Sequence, residues 1–218
     1  MKFDRESFVD ECRRALAEDA PQLAVREVVE RAVSEPAAVE DGFGVADGWR
    51  IDVLHNDDEL TIMHFVWPPS VDLFPHEHKM WSTVGIYGGI EDNTYYRRTG
   101  ASIDVSGHKR GEVGDVLLLG ADGIHSVKNP TRQWTAALHV YGSDFFAHPR
   151  LQWDPETREA KPFDVQNARA VLAAADAQAR FASTTQTGAA SQATNNGCWK
   201  RRSWRRVGLF RVSLQGDP

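Results

Sequence analysis

Pro75-His76-Glu77-His78-Lys79-Met80-Trp81-Ser82-Thr83-Val84-Gly85-Ile86-Tyr87-Gly88-Gly89 organises this chain. Two histidines stand one residue apart, and a run rich in β-formers follows, ending in a glycine pair. In an extended strand alternate side chains share a face. His76 and His78 would then lie about 7 Å apart on one side, with Glu77 on the other. Two imidazoles so placed can reach one ion at about 2.1 Å. An isolated H-x-H is a weak signal. It gains weight from a third histidine in Gly114-Asp115-Val116-Leu117-Leu118-Leu119-Gly120-Ala121-Asp122-Gly123-Ile124-His125-Ser126-Val127-Lys128-Asn129, which reads as strand, tight turn and strand.

Around these two stretches the texture is that of short strands. Ile51–His55, Leu60–Trp67, His76–Tyr87, Asp92–Arg98, Val113–Leu119, Gly123–Val127 and Trp134–Tyr141 are apolar runs separated by Gly, Pro, Asn and Asp. Many short strands without intervening helices predict an all-β sandwich or small barrel rather than a parallel α/β sheet. Residues 1–40 read as a helical annex. Phe3, Phe8, Val9, Cys12 and Leu16 fall at helical spacing, and a second helix starts near Pro21 and buries Leu23, Val25, Val28, Val29 and Val33. Glu40–Gly44 breaks that pattern, Trp153–Thr157 reads as a turn, and Val165–Phe181 as a helix covering one end of the barrel. Residues 1–182 thus form one domain (annex 1–40, barrel 41–150, helical cover 151–182). Residues 183–218 read as a disordered tail, polar at first and basic at Trp199–Arg206.

The 218 residues carry a formal net charge of −6, which argues against a nucleic-acid partner for the body of the protein. The basic segment 199–206 reads as a solvated tail, the alternative being an arm for nucleic acid or an anionic membrane. Cys12 and Cys198 form no C-x-x-C pair, so a reducing cytosol is expected. The charged Met1–Glu6 start and the lack of a long apolar run make the expected location cytoplasmic, with no membrane partner.

With both histidine stretches in view, the chain resembles the cupins. Their first motif is H-x-H, a carboxylate three or four residues on, then a glycine; their second is G-x5-P-x-G-x2-H-x3-N. Gly114, His125 and Asn129 occupy the second without a gap, with Gly120 and Asp122 at the proline and glycine places. His76, His78 and Gly89 occupy the first, but the carboxylate place falls on Ser82 or Thr83. The resemblance implies a double-stranded β-helix (jelly-roll barrel) with His76, His78 and His125 as metal ligands. Within the cupins the missing carboxylate resembles the thiol dioxygenases. Three neutral imidazoles leave a divalent ion its full charge, which favours binding and deprotonating a thiol.

Ala137-x-His139-x-Tyr141 is similar to the Ser-x-His-x-Tyr triad of cysteine and 3-mercaptopropionate dioxygenases, with alanine at the serine place. The cysteine that some members cross-link to the tyrosine is replaced by Ser82 or Thr83. The resemblance implies an Fe(II) enzyme that adds both atoms of O2 to the sulfur of a small thiol, with His139 and Tyr141 catalytic. Arg150 or Arg50 would hold a substrate carboxylate, since a planar guanidinium pairs with it bidentately. Trp81 is expected beside the site, and His55, His64, His108 and His148 outside it. Two other readings stand alongside. One is a cupin enzyme of another kind, an isomerase or carbon-substrate dioxygenase using Mn, Ni or Zn. The other is a cupin that only binds a small ligand.

Overall fold

The computed structural model describes residues 3–195. Residues up to Ala182 form one compact unit, and a second begins at Ser183. Three helices open the chain: α1 (Arg5–Ala15), α2 (Pro21–Val33) and α3 (Pro36–Phe43). Asp4 caps α1 by accepting from the Ser7 N–H at 2.7 Å. Pro21 and Pro36 start α2 and α3, where a missing N–H is harmless. The residues expected to break the helical annex instead form the second half of α3, which stops at Gly44 with φ +84°.

Eleven strands follow among the described residues: β1 (Arg50–Asn56), β2 (Thr61–Trp67), β3 (Asp72–Glu77), β4 (Ser82–Gly88), β5 (Glu91–Thr99), β6 (Ser102–Gly111), β7 (Val116–Leu119), β8 (Ile124–Lys128), β9 (Thr135–Tyr141), β10 (Leu151–Trp153) and β11 (Ala160–Pro162). They pair antiparallel in two sheets, ordered β1-β2-β9-β4-β7 and β11-β10-β3-β8-β5-β6. The fold is the expected double-stranded β-helix with N-terminal helices and a C-terminal helix. β6 escapes a pattern reading because it is a sheet edge whose side chains are mostly polar and exposed, Ile103 being buried.

β2 and β9 are buried along their whole length and β4 nearly so, because each face is covered. One face packs under the helices, where Val25, Val29 and Val33 of α2 meet Ile62, Val66, Leu138 and Val140. The approach is close: a Cβ on Gly85 would stand 2.3 Å from Val29 Cγ1. The other face looks into the barrel, with Met63, Phe65, Trp67 and Tyr141 in one cluster and Val84, Ile86, Leu117 and Ala137 in another. α4 (Val165–Asn195) lays Leu172 and Ala175 against the first of these. It runs beyond Phe181, where the sequence pattern ends it. The basic segment 199–206 and Cys198 lie outside the described residues. Cys12 is a buried free thiol, pushed up to about 12 chiefly by burial.

His76–Tyr87 is not one strand. The chain leaves β3 after Glu77, turns through His78–Trp81 with Lys79 at φ +63°, and re-enters the other sheet as β4. No described helix is long and apolar enough to cross a membrane.

Candidate metal centre

Strand register brings the distant histidine to the pair. His76 on β3 is the direct partner of His125 on β8. That alignment depends on a bulge at Phe74-Pro75, a proper place for a residue that cannot donate to the ladder. His78, just past β3, closes the group from the turn. Its Nε2 lies 3.2 Å from His76 Nε2 and 3.3 Å from His125 Nε2. All three rings are buried. Glu77 faces the other side of the sheet, where Arg98, Lys79 Nζ at 3.2 Å and the Leu151 N–H at 3.1 Å satisfy it. It takes no part in the cluster.

The tautomers are set by neighbours. His76 Nδ1–H donates to the Phe74 carbonyl at 3.0 Å, and His125 Nδ1–H donates to Asn93 Oδ1 at 2.7 Å. Both Nε2 atoms therefore carry bare lone pairs aimed at His78 Nε2. Protons do not relieve this crowding: burial pushes His76 down to about 4, and burial with the neighbouring groups holds His78 and His125 well below the usual imidazole range. A divalent cation fits the nitrogens. Ligands at about 2.1 Å from one ion, at angles between octahedral and tetrahedral, stand about 3.0–3.4 Å apart. His76, His78 and His125 can thus hold a metal ion, with no carboxylate in the set.

Asn93 is a residue that the histidine motifs do not signal. Its Nδ2 donates to Glu91 Oε1 at 2.9 Å, so its carbonyl oxygen must face His125. Glu91 and Asn93 alternate with half-exposed Asp92 along β5, and that parity is the only sequence trace of their inward placement.

The other expected residues divide. Tyr141 sits beside the cluster, its ring 5.1 Å from that of His78, and its hydroxyl is 3.1 Å from His139 Nδ1. His139 is buried against Phe65, its ring pushed down to about 3 by burial, and its Nε2 has no partner. Ala137, two residues before it on β9, packs among Val84, Ile86 and Leu117 and has no polar side-chain atom to offer. Ser82 stands directly across from Tyr141, its Oγ buried and unpartnered.

Arg150 joins the group. Its guanidinium lies over Phe145 at 4.0 Å and Phe163 at 4.4 Å, and Nη1 donates to the Phe145 carbonyl at 2.6 Å. Nε is buried without a partner, and the charge acts on His76, His78 and Tyr141. Phe145 also packs 4.5 Å from Tyr141 and 5.9 Å from His78, so it roofs the site.

Arg50 does not join it. Register places Arg50 opposite Val66, on the face under the helices, where Nη2 donates to the Phe43 carbonyl at 3.1 Å and Nε faces Asp52 at 3.7 Å. Arg50, expected as one of two arginines for a substrate carboxylate, thus stands away from the three histidines. Trp81 packs against Gly142 and the helix-side core. His64, buried between Asp52 (2.9 Å) and the Tyr87 hydroxyl (2.6 Å), ties three strands together on that face. His55, His108 and His148 make local contacts with Asp57, Thr94 and Ser143.

No family model matches the sequence. Among solved structures, a protein from Bacillus halodurans is similar with 16% identity over 51% of this chain and 80% of its own, at TM-score 0.43. An RmlC-like cupin with a double-stranded β-helix fold from Methanocaldococcus jannaschii has 14% identity over 47% of this chain and 86% of its own, at TM-score 0.40. A variant of oxalate decarboxylase from Bacillus subtilis has 15% identity over 47% of this chain, only 27% of its own, at TM-score 0.38.

Proposed function

We propose that this protein is a mononuclear Fe(II) thiol dioxygenase whose substrate is a small thiol bearing a carboxylate, of the cysteine or 3-mercaptopropionate kind. The observation that carries the proposal is the half-buried Arg150, whose Nε is buried and unpartnered, beside three imidazoles that lack an acidic companion. A neutral ligand set suits an anionic sulfur donor, and a lone cation nearby suits a carboxylate at the other end of a short molecule.

His76, His78 and His125 would hold the iron, which when bound supplies a common site for thiolate and O2. The overall change is R–S⁻ + O2 → R–SO2⁻. Sulfur loses four electrons and O2 gains four, so no further reductant is needed. Arg150 orients the carboxylate, and Phe145 and Phe163 stack on the guanidinium and fix its position. In this reading His139 carries its proton on Nδ1 and donates to the Tyr141 oxygen 3.1 Å away, which leaves the Tyr141 proton free to point toward the reacting atoms. Burial pushes the Tyr141 hydroxyl up, so it acts as a hydrogen-bond donor and not as a base.

The test is anaerobic loading with Fe(II), addition of 3-mercaptopropionate, cysteine or cysteamine, and then measurement of O2 uptake and sulfinate. Equimolar uptake and sulfinate with a carboxylate thiol is expected. No uptake with any of the three, or native protein that carries Mn, Ni or Zn and is inert with Fe, would overturn the proposal. His125→Ala should lose the metal by elemental analysis.

A further inference from the structure

The barrel strands carry two buried glutamates, Glu77 facing outward and Glu91 inward, and they are treated differently. Glu77 has Arg98, Lys79 and a backbone N–H around it. Glu91, 2% exposed, has no ion pair with any basic side chain among the described residues. Its Oε1 accepts from Asn93, its Oε2 has no partner, and the Trp67 indole N–H faces it without a hydrogen bond of good geometry. Burial pushes its carboxyl up to about 6, so it is ionised at neutral pH and lacks a counter-charge. A buried carboxylate without a cation is unfavourable on general grounds.

One unbroken chain of hydrogen bonds joins Glu91 to the histidine cluster. Glu91 can only accept, so Asn93 must present Nδ2 to it and Oδ1 to His125. His125 must then be protonated at Nδ1 and bare at Nε2. We infer that Glu91 is the buried counter-anion of the metal centre, a positioning residue that acts through Asn93 to orient and polarise His125. It supplies from outside the ligand set the negative charge that the set lacks. The first coordination shell stays neutral and open to a thiolate, while the ion's charge is partly offset from behind a ligand. This rests on the three-histidine centre of the proposed function.

The charge has two effects of opposite sign, which separates it from ordinary packing. Without metal, Glu91 is a liability to the fold; with metal, it is an asset. Glu91→Gln keeps the shape and the acceptor for Asn93 but removes the charge. The metal-free variant should therefore melt at the same temperature as the parent or higher. Its Zn(II) affinity, measured at pH 7.5 by competition with a chelator, should be weaker by about 10-fold, as for other outer partners of metal-bound histidines. Asn93→Ala should weaken Zn(II) binding at least as much.

Zn(II) affinity of Glu91→Gln within twofold of the parent overturns the inference. So does a metal-free Glu91→Gln that is less stable than the parent or fails to fold, since the carboxylate would then be serving the fold. A parent protein that binds no Zn(II), or binds it as tightly after His76→Ala, refutes the metal centre itself. Parent binding that needs His76 while Glu91→Gln binds equally well refutes this inference alone.

Discussion

Replacing Arg150 should separate thiols by their tails. The guanidinium offers an unpartnered buried Nε to a carboxylate, and its Nη1 is engaged with the Phe145 carbonyl. Losing a charge-assisted interaction at such a site is worth about 3 kcal/mol. At about 1.4 kcal/mol per tenfold, Arg150→Ala should lower kcat/KM for 3-mercaptopropionate on the order of 100-fold. Arg150→Lys keeps a charge but loses the planar fork and the stacking on Phe145 and Phe163, so a loss of roughly tenfold is expected. Cysteamine has no carboxylate, and its slower turnover should change by less than about twofold. The assay is initial O2 uptake by iron-replete protein, with bound iron measured for every variant. Removing the cation also costs about 1–2 kcal/mol of stability from the two ring contacts, visible as a lower Tm. Equal losses for both thiols at unchanged iron content would refute a role for Arg150 in reading the carboxylate.

Tyr141→Phe removes the hydroxyl beside His139 Nδ1 and leaves the ring packed on Phe145. kcat should fall by about 10- to 100-fold with little change in KM, measured by steady-state O2 uptake. Acid should destabilise the metal-free protein. His76 and His139 have folded pKa values of about 4 and 3, below the ordinary 6.5, so the unfolded chain binds more protons between those limits and stability falls as pH drops through 6.5 toward 3. The slope approaches about 1.4 kcal/mol per pH unit for each histidine. Glu91, raised to about 6, acts in the opposite sense between 6 and 4.5 and offsets one proton of it. Urea melts from pH 7.5 to 5 check this, and a flat profile would contradict it. Gly85→Val should drive a side chain into Val29 and Val33 and destabilise the protein by about 1–3 kcal/mol. The fraction still folded should bind Zn(II) normally, because the clash lies on the helix side of β4.

The barrel was legible because hydrophobic runs, turn residues and their spacing are local properties, and so was the second helix start at Pro21. β6 was hidden by its polar edge. The break inside His76–Tyr87 was hidden because the turn at His78–Trp81 has no glycine or proline to announce it, Lys79 taking the left-handed conformation itself. His139 and Tyr141 share a face by simple alternation, and the structure keeps them on it.

Sequence alone determined which three histidines belong together and that no acidic side chain stands at the ligand position, because the spacing of each motif is written along the chain. Tertiary structure decided the rest. Which of two arginines reaches the cluster depends on the parity of strand pairing, and Arg50 falls on the face opposite to Arg150's site. Glu91 acquires meaning only when β5 lies beside β8 and Asn93 bridges it to His125. Such facts arise from contacts between residues far apart in the chain. A strand's own pattern says which side chains share a face, but not which face will meet the other sheet.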